Sequence, residues 1–331
     1  MRFTGVVISR LLFACLLATS SSCLAQDELF VSNSNSNAIT VYERTANGNT
    51  PPIRVLSGPL TGLSSPSGVA VDLVNDELYV VNLTAQSVTV YPRTASGNTA
   101  PSRTVSGNLT TLDGPRGISI DTVHGEFSVV NRAGFSVTTW ARTATGNVAP
   151  LRAIRTPMGL SNPWGGFIDV VHDEIAVANN GNFISVFPRL NDGMTPSRVI
   201  SGSNTGFNGG PLGIALDETT DEYVVTTPNF GTLGQDGVVW FARLPGGNAS
   251  PTRVIGGSPA TTRLLGANGV QLDSRRGEIF VANSLGNSIA VHSRFLTGVA
   301  PPQRLLIGAA TQLNNPQFVA LTLSLFADGF E

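Results

Sequence analysis

The chain has 331 residues, of which 13% are charged, with 36 Gly and 20 Pro, a composition that suits many short strands joined by tight turns. A net charge of −2 gives no long-range field, which excludes partners held by charge alone such as nucleic acid or an anionic membrane. All 20 basic residues are Arg, so no Lys side chain is present for Schiff-base chemistry.

Residues 1–25 read as an export leader. Arg2 and Arg10 supply positive charge, Leu11 to Ala18 is a short apolar run, and small residues lead to Cys23-Leu24-Ala25. Cleavage after Ala25 is expected, and the protein is expected to be secreted or periplasmic. Lipid anchoring at Cys23 is the alternative, disfavoured by Ser20 where a lipidation signal normally carries Leu. Cys15 and Cys23 both lie in this leader, so residues 26–331 hold no disulfide and no Cys-based metal site. No later stretch of about 18 apolar residues is available to span a membrane.

Beyond the leader one unit returns along the whole chain. Asp27-Glu28-Leu29-Phe30-Val31-Ser32-Asn33 reappears as Asp76 to Asn82, Gly125 to Asn131, Asp173 to Asn179, Asp221 to Thr227 and Gly277 to Asn283. The starts are 49, 49, 48, 48 and 56 residues apart. A period of about 50 is the length of a four-stranded propeller blade. In the second copy Val69 to Val71 predicts strand A, Leu78 to Val81 strand B, Ser87 to Tyr91 strand C and Ser102 to Val105 strand D. Gly48-Asn49, Gly97-Asn98, Gly146-Asn147 and Gly247-Asn248 fall between strands C and D, where they predict a turn.

Strand A openings occur at Pro66, Pro115, Pro163, Pro211, Asn268 with Gly269, and Pro316. The first copy begins on strand B, and the final strand A, Gln317 to Leu321, has no blade of its own. The two must complete each other. The expected fold is therefore an all-β, six-bladed β-propeller over residues 26–322, closed by the C-terminal strand joining the N-terminal blade.

Pro66-Ser67-Gly68-Val69-Ala70-Val71-Asp72, then Glu77 to Asn82, then Ser87 to Tyr91 resemble the NHL repeat and its six-bladed relatives. The resemblance implies a fold that hosts protein-binding and nucleic-acid-binding scaffolds, and, in the wider class, lactonases and lyases. It also implies that a ligand would sit at the top mouth of the central channel, the end carrying the D–A and B–C loops.

Most acids belong to the other end. Sixteen of the 22 Asp and Glu flank the A–B turns, among them Glu28, Glu77, Glu126, Glu174, Glu222 and Glu278. Only Asp113 and Asp236 fall to the top, so the top lacks the paired carboxylates that general acid–base catalysis needs. The metal-binding Glu of lactonase-like propellers and the top-face His of lyase-like ones have no counterpart here, and no cofactor or metal is expected. Arg44/Arg54 flank the first C–D connection, and Arg93/Arg103, Arg142/Arg152, Arg189/Arg198, Arg243/Arg253 and Arg294/Arg304 repeat the pairing. Such a ring predicts Arg–carboxylate contacts between turns, an anionic partner being the other reading. Asp72, Asp121, Asp169, Asp217 and Asp273 predict caps of their own turns, a cation site at the bottom of the channel being the other reading. Asn33, Asn82, Asn131, Asn179 and Asn283 predict Asx turns at the end of strand B, with amides also available to a neutral polar ligand.

Departures from the repeat mark a candidate site. Four residues past the Asn station, blades three to five carry Phe135, Phe183 and Phe230 where the others have Asn37, Gln86 and Asn287. Trp164 occupies a Pro-x-Gly opening, Phe207 lies in the neighbouring D–A loop, and Arg116 and Arg132 flank them. Together with Asn131 and Asn179 these residues form the predicted ligand-binding set. They suit a protein, peptide or glycan, and packing of the longer loops is the alternative use of the aromatics. The leading expectation is a monomeric, non-catalytic binding scaffold, with a lactonase- or lyase-like enzyme and a structural envelope protein as alternatives. Residues 323–331 read as a tail beyond the last strand, resembling a short terminal signature of some secreted bacterial proteins.

Overall fold

A computed structural model describes residues 27–156, 159–190, 195–231, 234–244 and 246–323. The leader with Cys23, and the tail after residue 323, lie outside the described residues. Each recurring heptad is a strand buried along nearly its whole length, as in β5 (Glu77–Asn82) and β13 (Glu174–Asn179). Burial on both faces explains why these strands are continuous runs of Leu, Val and Tyr instead of alternating ones, because each sheet packs between two others.

The described strands form six four-stranded antiparallel sheets, a six-bladed β-propeller. In the second blade β4 (Pro66–Asp72), β5, β6 (Ser87–Pro92) and β7 (Arg103–Ser106) pair in chain order, with Val71 opposite Leu78 and Leu78 opposite Tyr91. The predicted strands fall inside these bounds, shifted by one residue only at the outer edge. Closure is also as expected: β24 (Pro316–Leu321) pairs with β1 (Glu28–Asn33), Leu321 opposite Leu29 and Val319 opposite Val31. Thr322 then clasps the seam, its Oγ1 accepting from Glu28 N at 2.7 Å.

Two features hold neighbouring blades together. The inner strands approach so closely that a Cβ on Gly68 would lie 2.5 Å from Arg116 O, and one on Gly165 would lie 2.5 Å from Leu212 O. The glycine of the Pro-x-Gly opening is thus fixed by the narrowness of the ring. Within the ring of inner strands lies a cavity of about 200 Å³ lined by Val69, Ile118, Ser119, Phe167, Gln271 and Phe318, among others. At the outer edge the Gly-Asn segment does more than turn the chain. Gly97 donates to Val55 O at 2.7 Å and accepts from Ser57 N, covering the exposed edge of the preceding blade. Asn98 Oδ1 accepts from Leu60 N at 2.7 Å, and Asn147 repeats the contact with Leu109.

The bottom carries an ionic lattice. Each strand B opens on Glu, which takes the Arg of its own strand D, as in Arg103 on Glu77 at 2.6 and 2.8 Å. The Arg after strand C of the next blade reaches the same carboxylate, as Arg142 does at 3.0 Å. Blades one, three, four and six repeat this arrangement, through Arg93 on Glu28, Arg189 on Glu126, Arg243 on Glu174 and Arg44 on Glu278. Blade five departs from it, because Arg294 bonds Asp217 instead of Glu222. Burial opposes ionisation of Glu77, but hydrogen bonds from Arg103, Tyr79 and Arg142 outweigh it and hold the carboxyl at about 2. The turn aspartates cap their own loops, Asp72 Oδ1 accepting from Val74 N and Asn75 N. The structural readings of both the Arg and the Asp rings are the ones realised.

His292 replaces the aromatic that closes strand C elsewhere. Tyr42 and Tyr91 in that place hydrogen-bond Thr311 O and Thr61 O. His292 is fully buried, and burial pulls its imidazole down to about 4. An unfolded chain takes up this proton below about 6.5, whereas the folded one resists until about 4. Stability therefore falls as pH drops through that window, by roughly 3 kcal/mol from this group. His292→Tyr should flatten the decline between pH 6.5 and 4 in denaturant titrations. Glu77→Gln removes an acceptor shared by two guanidiniums and should cost about 1.5–3 kcal/mol at pH 7, read by the same titrations.

Candidate functional site

The second residue of each inner-strand opening lies at the mouth of the channel. These positions hold Ser67, Arg116, Trp164 and Leu212 between Pro and Gly, Asn268 between Ala267 and Gly269, and Gln317 between Pro316 and Phe318. They lie on β4, β8 (Pro115–Asp121), β12 (Pro163–Asp169), the loop before β16 (Ile214–Asp217), β20 (Ala267–Asp273) and β24. Trp164 reaches across from blade four to blade six, its Nε1 donating to Asn268 Oδ1 at 2.8 Å. Asn268 Nδ2 donates onward to Gln317 Oε1 at 2.9 Å, and Gln317 Nε2 to Asn315 Oδ1 at 2.6 Å. A polar chain thus runs around half of the mouth with an indole at one end.

The two predicted arginines meet that indole. The guanidinium carbon of Arg116 lies 4.1 Å from the Trp164 ring centre, and that of Arg132 lies 5.0 Å away. Arg132 directly follows Asn131, the last residue of β9 (Glu126–Asn131), and its backbone N donates to Gly114 O at 2.9 Å. Burial, and then the like charge of Arg132, pull the Arg116 guanidinium down to about 10, so it remains charged at neutral pH. A cavity of about 160 Å³ opens beside the pair, lined by Leu83, Gly114, Arg116, Arg132, Ala133 and Asn162.

The other predicted residues separate into distinct roles. Asn131 and Asn179 are fully buried. Asn179 Oδ1 accepts from Ser161 N at 2.9 Å while Nδ2 donates to Val177 O and Ser185 Oγ. Asn131 repeats this with Asp113 N, Val129 O and Thr138 Oγ1. These amides pin the D–A loop to the end of strand B and are not presented on the rim. Phe207 and Phe230 pack onto the core between blades four and five, Phe207 with its ring centre 5.2 Å from that of Phe241. Phe135 projects, 40% exposed, from a hairpin position at φ 44°. Phe183 is not its equivalent: the hairpin of blade four is one residue shorter, so Phe183 is the first residue of β14 (Phe183–Pro188), directly opposite Asn179. Among the described residues no two of the five predicted aromatics are in ring contact. The five aromatics of the predicted ligand-binding set are thus resolved into Trp164 with its arginines, a lone Phe135, a half-buried Phe183 and two packing residues.

Asn268 and Gln317 escaped the sequence reading, although both occupy the same column as Trp164. Asp236, one of the two top acids, caps the backbone of the next blade, its Oδ2 accepting from Ala267 N at 2.9 Å. Among the described residues no cluster of three or more His, Cys, Asp or Glu is placed to hold a metal, and no helix is long and apolar enough to cross a membrane.

The fold and its mouth define a six-bladed β-propeller with an Arg–Trp–Arg cluster at the top of the channel. Neither the models of known families nor the curated proteins match the chain. Among solved structures it is similar to a chain from a nidogen/laminin complex, with a TM-score of 0.64 over 90% of this chain and 99% of that one. The two sequences are 14% identical, so the likeness is one of fold.

Trp140 and Trp240 are 1% and 0% exposed, whereas Trp164 is only half-buried. Acrylamide should therefore quench the wild-type emission in part, and Trp164→Phe should abolish nearly all of that quenching.

Proposed function

We propose that the chain is an exported, NHL-type propeller that acts as a non-catalytic binding scaffold and receives a protein partner on its top face. The observation that carries this reading is the division of charge between the two ends. At the bottom, carboxylates and arginines neutralise one another in a lattice that ties blade to blade. At the top, the channel ends in an indole, two guanidiniums and a chain of amides. That is the residue mixture of an interface centre, in which Trp and Arg carry most of the binding energy. The solved structure of similar fold belongs to a complex of two proteins, which fits a propeller used for recognition. The repeat pattern supports the NHL-type assignment, and the apolar run with its small-residue end supports export.

Peptide and glycan arrays probed with the purified protein test the reading. Peptide ligands are expected, with signal reduced at least tenfold by Trp164→Ala and kept by Glu43→Gln, which alters an exposed residue at the bottom end of β2 (Ala38–Glu43). Signal indifferent to Trp164→Ala, or chemical turnover of a bound compound, would sink it.

A further inference from the structure

We infer that Arg116 and Arg132, stacked on Trp164 at the channel mouth, form a carboxylate-binding pocket that receives an acidic side chain or chain-terminal carboxylate of a partner protein. The inference rests on the scaffold reading above and specifies its ligand chemistry.

The arginines of the bottom lattice set the standard. Arg54, Arg103, Arg152, Arg198, Arg253 and Arg304 each hold a strand-B glutamate. Arg44, Arg93, Arg142, Arg189, Arg243 and Arg294 each reach a carboxylate from a neighbouring blade. Arg116 and Arg132, by contrast, make no ion pair with any described carboxylate, and the only charged neighbour that acts on Arg116 is the like charge of Arg132. Two like charges drawn out of water side by side oppose folding unless something else uses them. Stacking on the indole offsets part of that cost, since a cation over Trp gains electrostatic attraction from the ring face. It also leaves the terminal N–H groups of each guanidinium without a carboxylate among the described residues.

The pocket says what the acceptor is. Its charged lining is Arg116 and Arg132 alone, with Leu83, Gly114 and Ala133 supplying apolar wall. At about 160 Å³ it is smaller than the roughly 300–1,000 Å³ of pockets for whole small molecules, so it takes a terminal group instead of an entire ligand. A planar carboxylate matches the fork of a guanidinium, with two parallel N–H···O bonds. An extended or looped segment lying across the mouth would place such a group here and leave its backbone to Asn162.

Three probes decide the matter: a capped Gly-Glu-Gly peptide, the capped Gly-Gln-Gly peptide and inorganic phosphate, each titrated while Trp164 fluorescence is read. The Glu peptide should give a saturable change, the Gln peptide should bind at least tenfold more weakly, and raising the salt should weaken the Glu peptide alone. Arg116→Gln and Arg132→Gln should each weaken the Glu peptide tenfold or more. The double variant should melt at or above the wild-type temperature, because it sheds unpaired charge. A double variant that melts well below wild type assigns the pair to structure and overturns the inference. Saturation by phosphate but not by the Glu peptide overturns the carboxylate assignment. Equal binding of the Glu and Gln peptides overturns the anion pocket while leaving the top face as a binding surface. No response to any probe, with array ligands still bound, removes the pocket alone; silence on both removes the scaffold reading as well.

Discussion

A carboxylate that opens strand B and takes guanidiniums from two blades is the contact on which this architecture turns. Glu77 receives Arg103 from its own sheet and Arg142 from the next, so the pair fixes the angle between consecutive blades as well as neutralising a half-buried charge. Repetition of this contact around the base uses five of the six strand-B glutamates, Glu28, Glu77, Glu126, Glu174 and Glu278. The far end differs. Of the two top acids Asp236 accepts from Ala267 N, and Arg116 and Arg132 meet the Trp164 ring without an ion pair to any described carboxylate.

The lattice has one irregular member, and it coincides with the irregular blade. Arg294 bonds Asp217, and Glu222 is left with Arg253 and Thr252. The same blade carries the extended hairpin formed by β17 (Glu222–Phe230) and β18 (Gln235–Ala242), with Thr226 where the others place Asn. Thr226 Oγ1 accepts from Gly213 N and donates to Asn268 O, so the loop is still tied down, by a hydroxyl instead of an amide. Asn268 is also the acceptor for Trp164. The departure from the repeat therefore adjoins the residue that orients the indole.

The fold was legible because its determinants are periodic: Pro66 to Asp72 and Glu77 to Asn82 recur in phase, and each copy is a strand. The role of Gly97 was less so, since edge coverage depends on which strand the connection lies against, a fact of tertiary packing. The site was legible in part. Trp164, Arg116 and Arg132 stand out as departures from the repeat, and the structure brings them together. Counting four residues from the Asn station misplaced Phe183, because a hairpin one residue shorter shifts every side chain by one register position. Asn131 and Asn179 stand where the pattern predicts an Asx turn or a rim amide, whereas burial and a hydrogen bond to backbone 18 residues earlier assign them to loop anchoring. Asn268 and Gln317 lacked contrast, an amide being common at many surface positions of this chain.

Closure of the circle through β24 and β1 joins groups 294 residues apart in sequence. Such a seam cannot form early: during synthesis or refolding the first blade must wait, three-stranded and open, until almost the entire propeller has been made. Until then β1 presents unpaired backbone groups to any passing strand. The final step is therefore also the one that ends vulnerability to mispairing, and it makes the whole ring, not the single blade, the unit that succeeds or fails.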